Sequence, residues 1–218
     1  MPTRSADTIR LCRRWPPTAV SIAVAALALM IGAADVNAAK LPGRVHCYNS
    51  ICHRVLTIGE TAQRVGSEAT AVASYYDDPE VDRFNPRLAT SSGETFLSHR
   101  ADNVASPIYP NGTRLALWSP ATNLGAIVRV NNSGPYHEAR TLDVSRALAE
   151  QLGFAGQGIT RLQVIVVAAP SVDDVRYKAG RRYHRVPGFI GSFSSTEQLR
   201  LAIGDYLAVA DASAVVLN

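Results

Sequence analysis

The chain has 218 residues, with 22 Lys+Arg against 18 Asp+Glu and a formal charge of +4. Its 47% hydrophobic and 18% charged residues are a globular composition and exclude a globally disordered chain. These totals include an N-terminal stretch that reads as an export signal, so they overstate the charge and apolar content of the folded part.

That stretch comes first in chain order. Arg4, Arg10, Arg13 and Arg14 form a basic region, and Ala19 to Ala34 is an uncharged run of small and aliphatic residues. Val36-Asn37-Ala38 is a small-x-small cleavage site, with cut points after Ala38 or Ala39. A membrane anchor would need ~20 apolar residues; here Asp35 and Asn37 interrupt at once, and no basic stop-transfer cluster follows. The expectation is a signal peptide over 1–39 and an exported chain, periplasmic or secreted, with no stable membrane span after cleavage. Cys12 precedes the apolar run, so it is not placed for lipidation. Without its four Arg and two Asp the remainder carries 18 basic and 16 acidic groups, a net +2. That does not support a nucleic-acid footprint.

Residues 40–69 form a short segment with Cys47 and Cys52. An even pair in an oxidising compartment reads as a disulfide. The flanking His46 and His53 leave a zinc cluster as the alternative. Further on, Thr57 or Gly59 starts a helical turn that ends at Gly66.

Residues 70–168 alternate short apolar runs with turn residues. Thr70 to Tyr76, Arg114 to Trp118, Ala126 to Val130 and Leu162 to Val167 read as strands. Asn111-Gly112, Ser133-Gly134-Pro135 and Gly156-Gln157-Gly158 punctuate them. One helix interrupts: Ser145 caps it, Leu148 and Leu152 share a face, and Gly153 ends it. Several short strands and one small helix in about a hundred residues point to a compact β-barrel. Residues 169–218 hold a basic-aromatic stretch from Arg176 to Arg185, expected to be a solvated linker, with contact to an anionic polymer as the other reading. An amphipathic helix is expected from Ser195 to Ala208 through Leu199, Ile203 and Leu207.

Four motifs in the middle of the chain stand in a recognisable order. They are Ala73-Ser74-Tyr75-Tyr76; Thr90-Ser91-Ser92-Gly93-Glu94-Thr95-Phe96; Val128-Arg129-Val130-Asn131-Asn132-Ser133-Gly134-Pro135-Tyr136; and Arg140-Thr141-Leu142-Asp143-Val144-Ser145. Together they resemble the rare lipoprotein A (RlpA) family over roughly residues 70–168. The resemblance implies a mainly β fold, a six-stranded double-psi β-barrel with one or two short helices. It also implies a lytic transglycosylase, which breaks the bond between N-acetylmuramic acid and N-acetylglucosamine in peptidoglycan strands and leaves 1,6-anhydro ends. Neither metal nor organic cofactor is implied.

By motif position, Glu94 matches the family's glutamate in its S-G-E motif. Asn132 stands where the family has its acid, an aspartate, and Ser133 replaces an arginine. Ser106 falls where the family has a histidine. An amide cannot deliver a proton to a leaving oxygen, so two readings stay open: catalysis with Glu94 as acid and base, or a groove that binds peptidoglycan without cutting it. A third is an envelope interaction protein that meets a cell-division or other envelope partner. Tyr76, Asn131, Ser133, Gly134 and Tyr136 are the expected substrate contacts. Arg140 and Asp143 are expected to make structural hydrogen bonds at the helix entry.

Overall fold

The computed structural model describes residues 40–48, 50–83, 85, 88–137 and 139–204. The expected signal peptide and Leu207 lie outside the described residues. In chain order the elements are β1 (Val45–Tyr48), β2 (Ile51–Arg54), α1 (Ile58–Ala62), β3 (Glu68–Tyr76), β4 (Asn103–Ala105) and β5 (Arg114–Ser119). There follow β6 (Leu124–Asn132), β7 (Arg140–Ser145), α2 (Arg146–Gln151), β8 (Ile159–Ala168) and β9 (Gly188–Ser192). Residues 196–204 are helical as well. Among the described residues no helix is long and apolar enough to cross a membrane.

Six strands close a ring in the order β3-β8-β5-β6-β4-β7 and back to β3. The β3–β7 and β4–β6 pairs are parallel and the other four are antiparallel. This is the double-psi β-barrel that the motifs imply.

The strand alternation explains why the apolar runs look continuous in sequence. Leu115 and Leu117 of β5, Ala126, Val128 and Val130 of β6, and Leu162, Val164 and Val166 of β8 fill the barrel interior. Their neighbours Ala116, Ile127, Ile165 and Val167 face outward, yet they are buried too, against Leu199 and Ile203 of the C-terminal helix. A strand covered on both faces loses the polar half of the two-residue pattern. β9 completes the cover by pairing with the first half of β6, from Leu124 to Ile127. Gly125 is part of the fit, because a Cβ there would lie 2.8 Å from the Phe193 ring.

The helix signals hold. Thr57 caps α1 with a full capping box to Glu60. Ser145 caps α2 through the Leu148 amide, and Gly153 follows its end at φ 79°. The basic-aromatic stretch from Arg176 to Arg185 is exposed over most of its length, but Arg181 within it is buried and donates to the Asp173 and Arg176 carbonyls. Both carbonyls are taken by Nη2, while Nη1 donates to the Asp173 carboxylate at 3.5 Å.

Cys47 and Cys52 lie directly opposite each other on β1 and β2 and are disulfide-bonded. The hairpin they clip is followed by Val55, fully buried, and by a hydrogen bond from the Leu56 amide to the Ile108 carbonyl. Ahead of it, Lys40 is 0% exposed. Its ammonium donates to three carbonyls: Ser106 at 2.8 Å, Tyr109 at 2.8 Å and Asn132 at 2.9 Å. Burial pushes the amine well below the usual lysine range. The three carbonyls nevertheless match the three N–H bonds that only the ammonium form offers.

Lys40→Met keeps the stem and removes the donors, leaving buried carbonyls unpartnered. It is expected to lower the unfolding free energy by about 2–3 kcal/mol in chemical denaturation. An unchanged midpoint would show that the lysine does not hold these loops.

Candidate active site

The site forms where the end of β6 meets the turn from Thr90 to Glu94. The Gly93 amide donates to the Thr90 carbonyl and closes the turn, and Gly93 takes φ 89°. The turn then lies along β6. The Ser92 amide donates to the Asn131 carbonyl at 3.1 Å, and the Ser91 amide donates to Asn132 Oδ1 at 3.0 Å. This docking brings Glu94 against Asn131, whose Nδ2 donates to Glu94 Oε2 at 2.7 Å. Glu94 is 6% exposed. Its other oxygen stands 3.7 Å from the Arg100 guanidinium, which Asp102 grips from the far side. Asn131 Oδ1 is buried and takes no hydrogen bond among the described residues, so an acceptor beside the carboxylate is left open.

Asn132 is built differently. Its Oδ1 accepts from the Ser91 and Ser133 amides, at 3.0 and 2.9 Å. Its amide side meets the Tyr76 hydroxyl, which also donates to Asn103 Oδ1 at 3.4 Å. Burial pushes the Tyr76 phenol well above its ordinary range, and the charges of Asp143 and Glu94 push the same way. Tyr76 stacks on Phe96 with centroids 4.1 Å apart, so its ring is packed while its hydroxyl faces the polar cluster.

Glu94, Asn131, Asn132, Ser133 and Tyr76 therefore come together as the sequence expects. Gly134 and Tyr136 lie on the loop that leaves β6, and the Gly134–Pro135 peptide is cis. Tyr136 turns toward the hairpin, with its hydroxyl 2.9 Å from His46 Nδ1. Arg140 and Asp143 belong to β7 and meet through Ser74. The Arg140 guanidinium donates to Ser74 Oγ at 3.0 Å, and Ser74 Oγ donates to Asp143 Oδ1 at 2.7 Å. Burial pushes the Asp143 carboxyl up to about 6. Ser106 is fully buried and works within the fold, accepting from the Ile108 and Tyr109 amides and donating to the Thr141 carbonyl.

Sequence reasoning missed three contributors. Lys40 grips the Asn132 carbonyl. Arg100 faces Glu94. The third is the segment after β8, which straps the turn. The Lys178 amide donates to the Ser92 carbonyl and the Arg181 amide to the Gly93 carbonyl, at 3.1 and 3.2 Å. A Cβ at Gly93 would lie 2.1 Å from the Lys178 carbonyl oxygen, so only glycine admits the strap there. Tyr183 sits between two guanidiniums, 4.4 Å from Arg129 and 5.0 Å from Arg181, and its phenol is pushed up to about 12, chiefly by burial. Arg129 also donates to the His184 carbonyl. Among the described residues, no group of three or more His, Cys, Asp or Glu is arranged to hold a metal ion.

Comparison with known proteins shows what the barrel segment is similar to. Residues 68–164 match the family described as "Lytic transglycolase". The particular relatives are endolytic peptidoglycan transglycosylases of the RlpA type. That of Neisseria meningitidis serogroup A is 35% identical over 95 residues, which are 44% of this chain and 37% of that protein. A Treponema pallidum relative with the qualifier "probable" is 37% identical over 92 residues, 42% of this chain and 27% of that one. The chain thus spans about a third of the length of the curated relatives it matches. Among solved structures, a Streptomyces papain inhibitor covers 47% of this chain and 96% of its own, at 19% identity and TM-score 0.38. A Clavibacter michiganensis expansin covers 48% of this chain and 52% of its own, at 19% identity and TM-score 0.34.

The raised Asp143 pKa has a definite sign. Between the unfolded value near 3.8 and the folded value of about 6, the folded chain holds a proton that the unfolded chain has lost. Stability should therefore fall as pH rises through this window and level off above it. Asp143→Asn keeps an acceptor for Ser74 and removes the titration. Thermal unfolding across pH 4–7 should show a shallower decline for the variant; parallel profiles would contradict the assignment.

Proposed function

We propose that this chain is an exported lytic transglycosylase that cuts peptidoglycan glycan strands at the bond between N-acetylmuramic acid and N-acetylglucosamine. The observation that carries this reading is Glu94: a buried carboxyl, held by Asn131 at 2.7 Å on a glycine turn strapped from both sides. The names of the relatives supply the substrate class.

The chemistry needs one proton given and one taken. Glu94 donates to the glycosidic oxygen as its bond to the anomeric carbon breaks, and the glucosamine end leaves with that proton. The muramyl C6 hydroxyl then attacks the anomeric carbon, and its proton passes to the Glu94 carboxylate. The new bond closes a 1,6-anhydro ring, the acid is restored, and no water is consumed. Asn131 fixes the Oε2 oxygen. Arg100, 3.7 Å from the other oxygen, is placed to pair with the Glu94 carboxylate once its proton has been given. Asn132 orients the sugar by hydrogen bonding and moves no proton, and Tyr76, Ser133, Gly134 and Tyr136 complete the contacts.

One observation favours a second reading, a groove that binds without cutting. Asn132 Oδ1 is fully engaged by two backbone amides, as a structural residue would be. Release of anhydro-ended fragments from peptidoglycan separates the two. Glu94→Gln should slow release by about 10²–10⁴-fold, the usual worth of a general acid–base group. Asn132→Asp should raise it, by adding a second carboxyl that the same two amides can hold. Retained sedimentation with insoluble peptidoglycan, without any release by the unmodified chain, would favour the binding reading.

A further inference from the structure

The disulfide hairpin lies outside the residues that match the family, and the reaction above does not use it. Its two strands pair Val45 with Arg54, His46 with His53, Cys47 with Cys52 and Tyr48 with Ile51. Residues opposite each other share a face and successive residues alternate. The disulfide is therefore on one face, and His46, Tyr48, Ile51 and His53 are on the other.

That second face meets Tyr136. The His46, Tyr48 and His53 rings stand 5.7, 5.8 and 6.0 Å from the Tyr136 ring. Tyr136 follows Asn132 by four residues, and Lys40, which holds the Asn132 carbonyl, is close enough for its charge to act on His46. The cluster thus adjoins the strand end that carries Asn131 and Asn132. Two features are poorly explained by packing alone. Tyr48 is 55% exposed. His46 Nε2 and His53 Nε2 are buried without a hydrogen-bond partner among the described residues, which a Phe or Leu in their place would avoid.

We propose that the exposed Tyr48 ring, backed by Tyr136 and the two imidazoles, is a stacking subsite for a sugar ring of the glycan strand beyond the cleaved bond. An aromatic face takes the apolar C–H face of a pyranose. The hairpin face itself carries only His46, Tyr48, Ile51 and His53 and no carboxylate, lysine or arginine, so an uncharged ring suits it better than an anionic stem peptide. The disulfide keeps the platform rigid and lowers the cost of ordering it on binding. The inference rests on the glycan reading of the groove.

Its test reads binding apart from turnover. Peptide-free glycan strands are titrated into the full mature chain carrying Glu94→Gln, with and without a change at Tyr48. Tyr48→Ala should weaken Kd by about tenfold, the order of one lost aromatic stacking contact, and Tyr48→Phe should restore it. Equal Kd for all three overturns the subsite. Tyr48-dependent binding in a chain whose unmodified form releases no product upholds the subsite and overturns only the catalytic role of Glu94. Failure of every variant to bind strands overturns both.

Discussion

A strand end in a small barrel is a poor place to hold a buried carboxyl, because the ladder stops there and backbone groups lose their partners. The end of β6 is held by one ammonium. Lys40 takes the carbonyls of Ser106, Tyr109 and Asn132 together, and so ties the chain after β4, the loop before β5 and the end of β6 to one point. The residues around Glu94 are referenced to that strand end. The Ser91–Ser92 turn docks on Asn131 and Asn132, Glu94 follows the turn, and the strap from Lys178 to Arg181 closes over it. A fully buried cation is costly to desolvate, and three oriented carbonyl dipoles offset that cost.

The carboxyls near the groove show how environment divides labour within one site. Glu94 sits among donors, with Asn131 on one oxygen and Arg100 beyond the other. Asp143 sits opposite Ser74 on the neighbouring strand, where burial outweighs the hydrogen bond from the serine and the pull of Arg140. Its titration bears on stability, while Glu94 has the placement for chemistry. Position 132 has no carboxyl to act as an acid, and its amide oxygen bridges the Ser91 turn and the loop that leaves β6.

Local signals in the sequence carried much of this. The caps at Thr57 and Ser145, the alternating run from Arg114 and the β-branched runs of β6 and β8 all lie where propensity and period place them. The motif positions of Glu94, Asn131 and Asn132 were legible and meet in space. The short strand Asn103–Ala105 and the strand Arg140–Ser145 were hidden, one for its length and one for its mixed polarity. Lys40, Arg100 and Arg181 were illegible for a physical reason: nothing in a local window tells a solvated cation from one whose donors are matched to distant carbonyls or carboxylates. The strap was hidden for the same reason, since its hydrogen bonds run between backbones more than eighty residues apart and leave only Gly93 as a trace.

In the proposed reaction a buried carboxyl at the end of β6 drives an intramolecular attack in which water takes no part. Mass analysis of products from peptide-free glycan strands, digested in water labelled with heavy oxygen, tests it most directly. The account predicts 1,6-anhydro ends without label. Reducing ends carrying the heavy oxygen would show hydrolysis and contradict it.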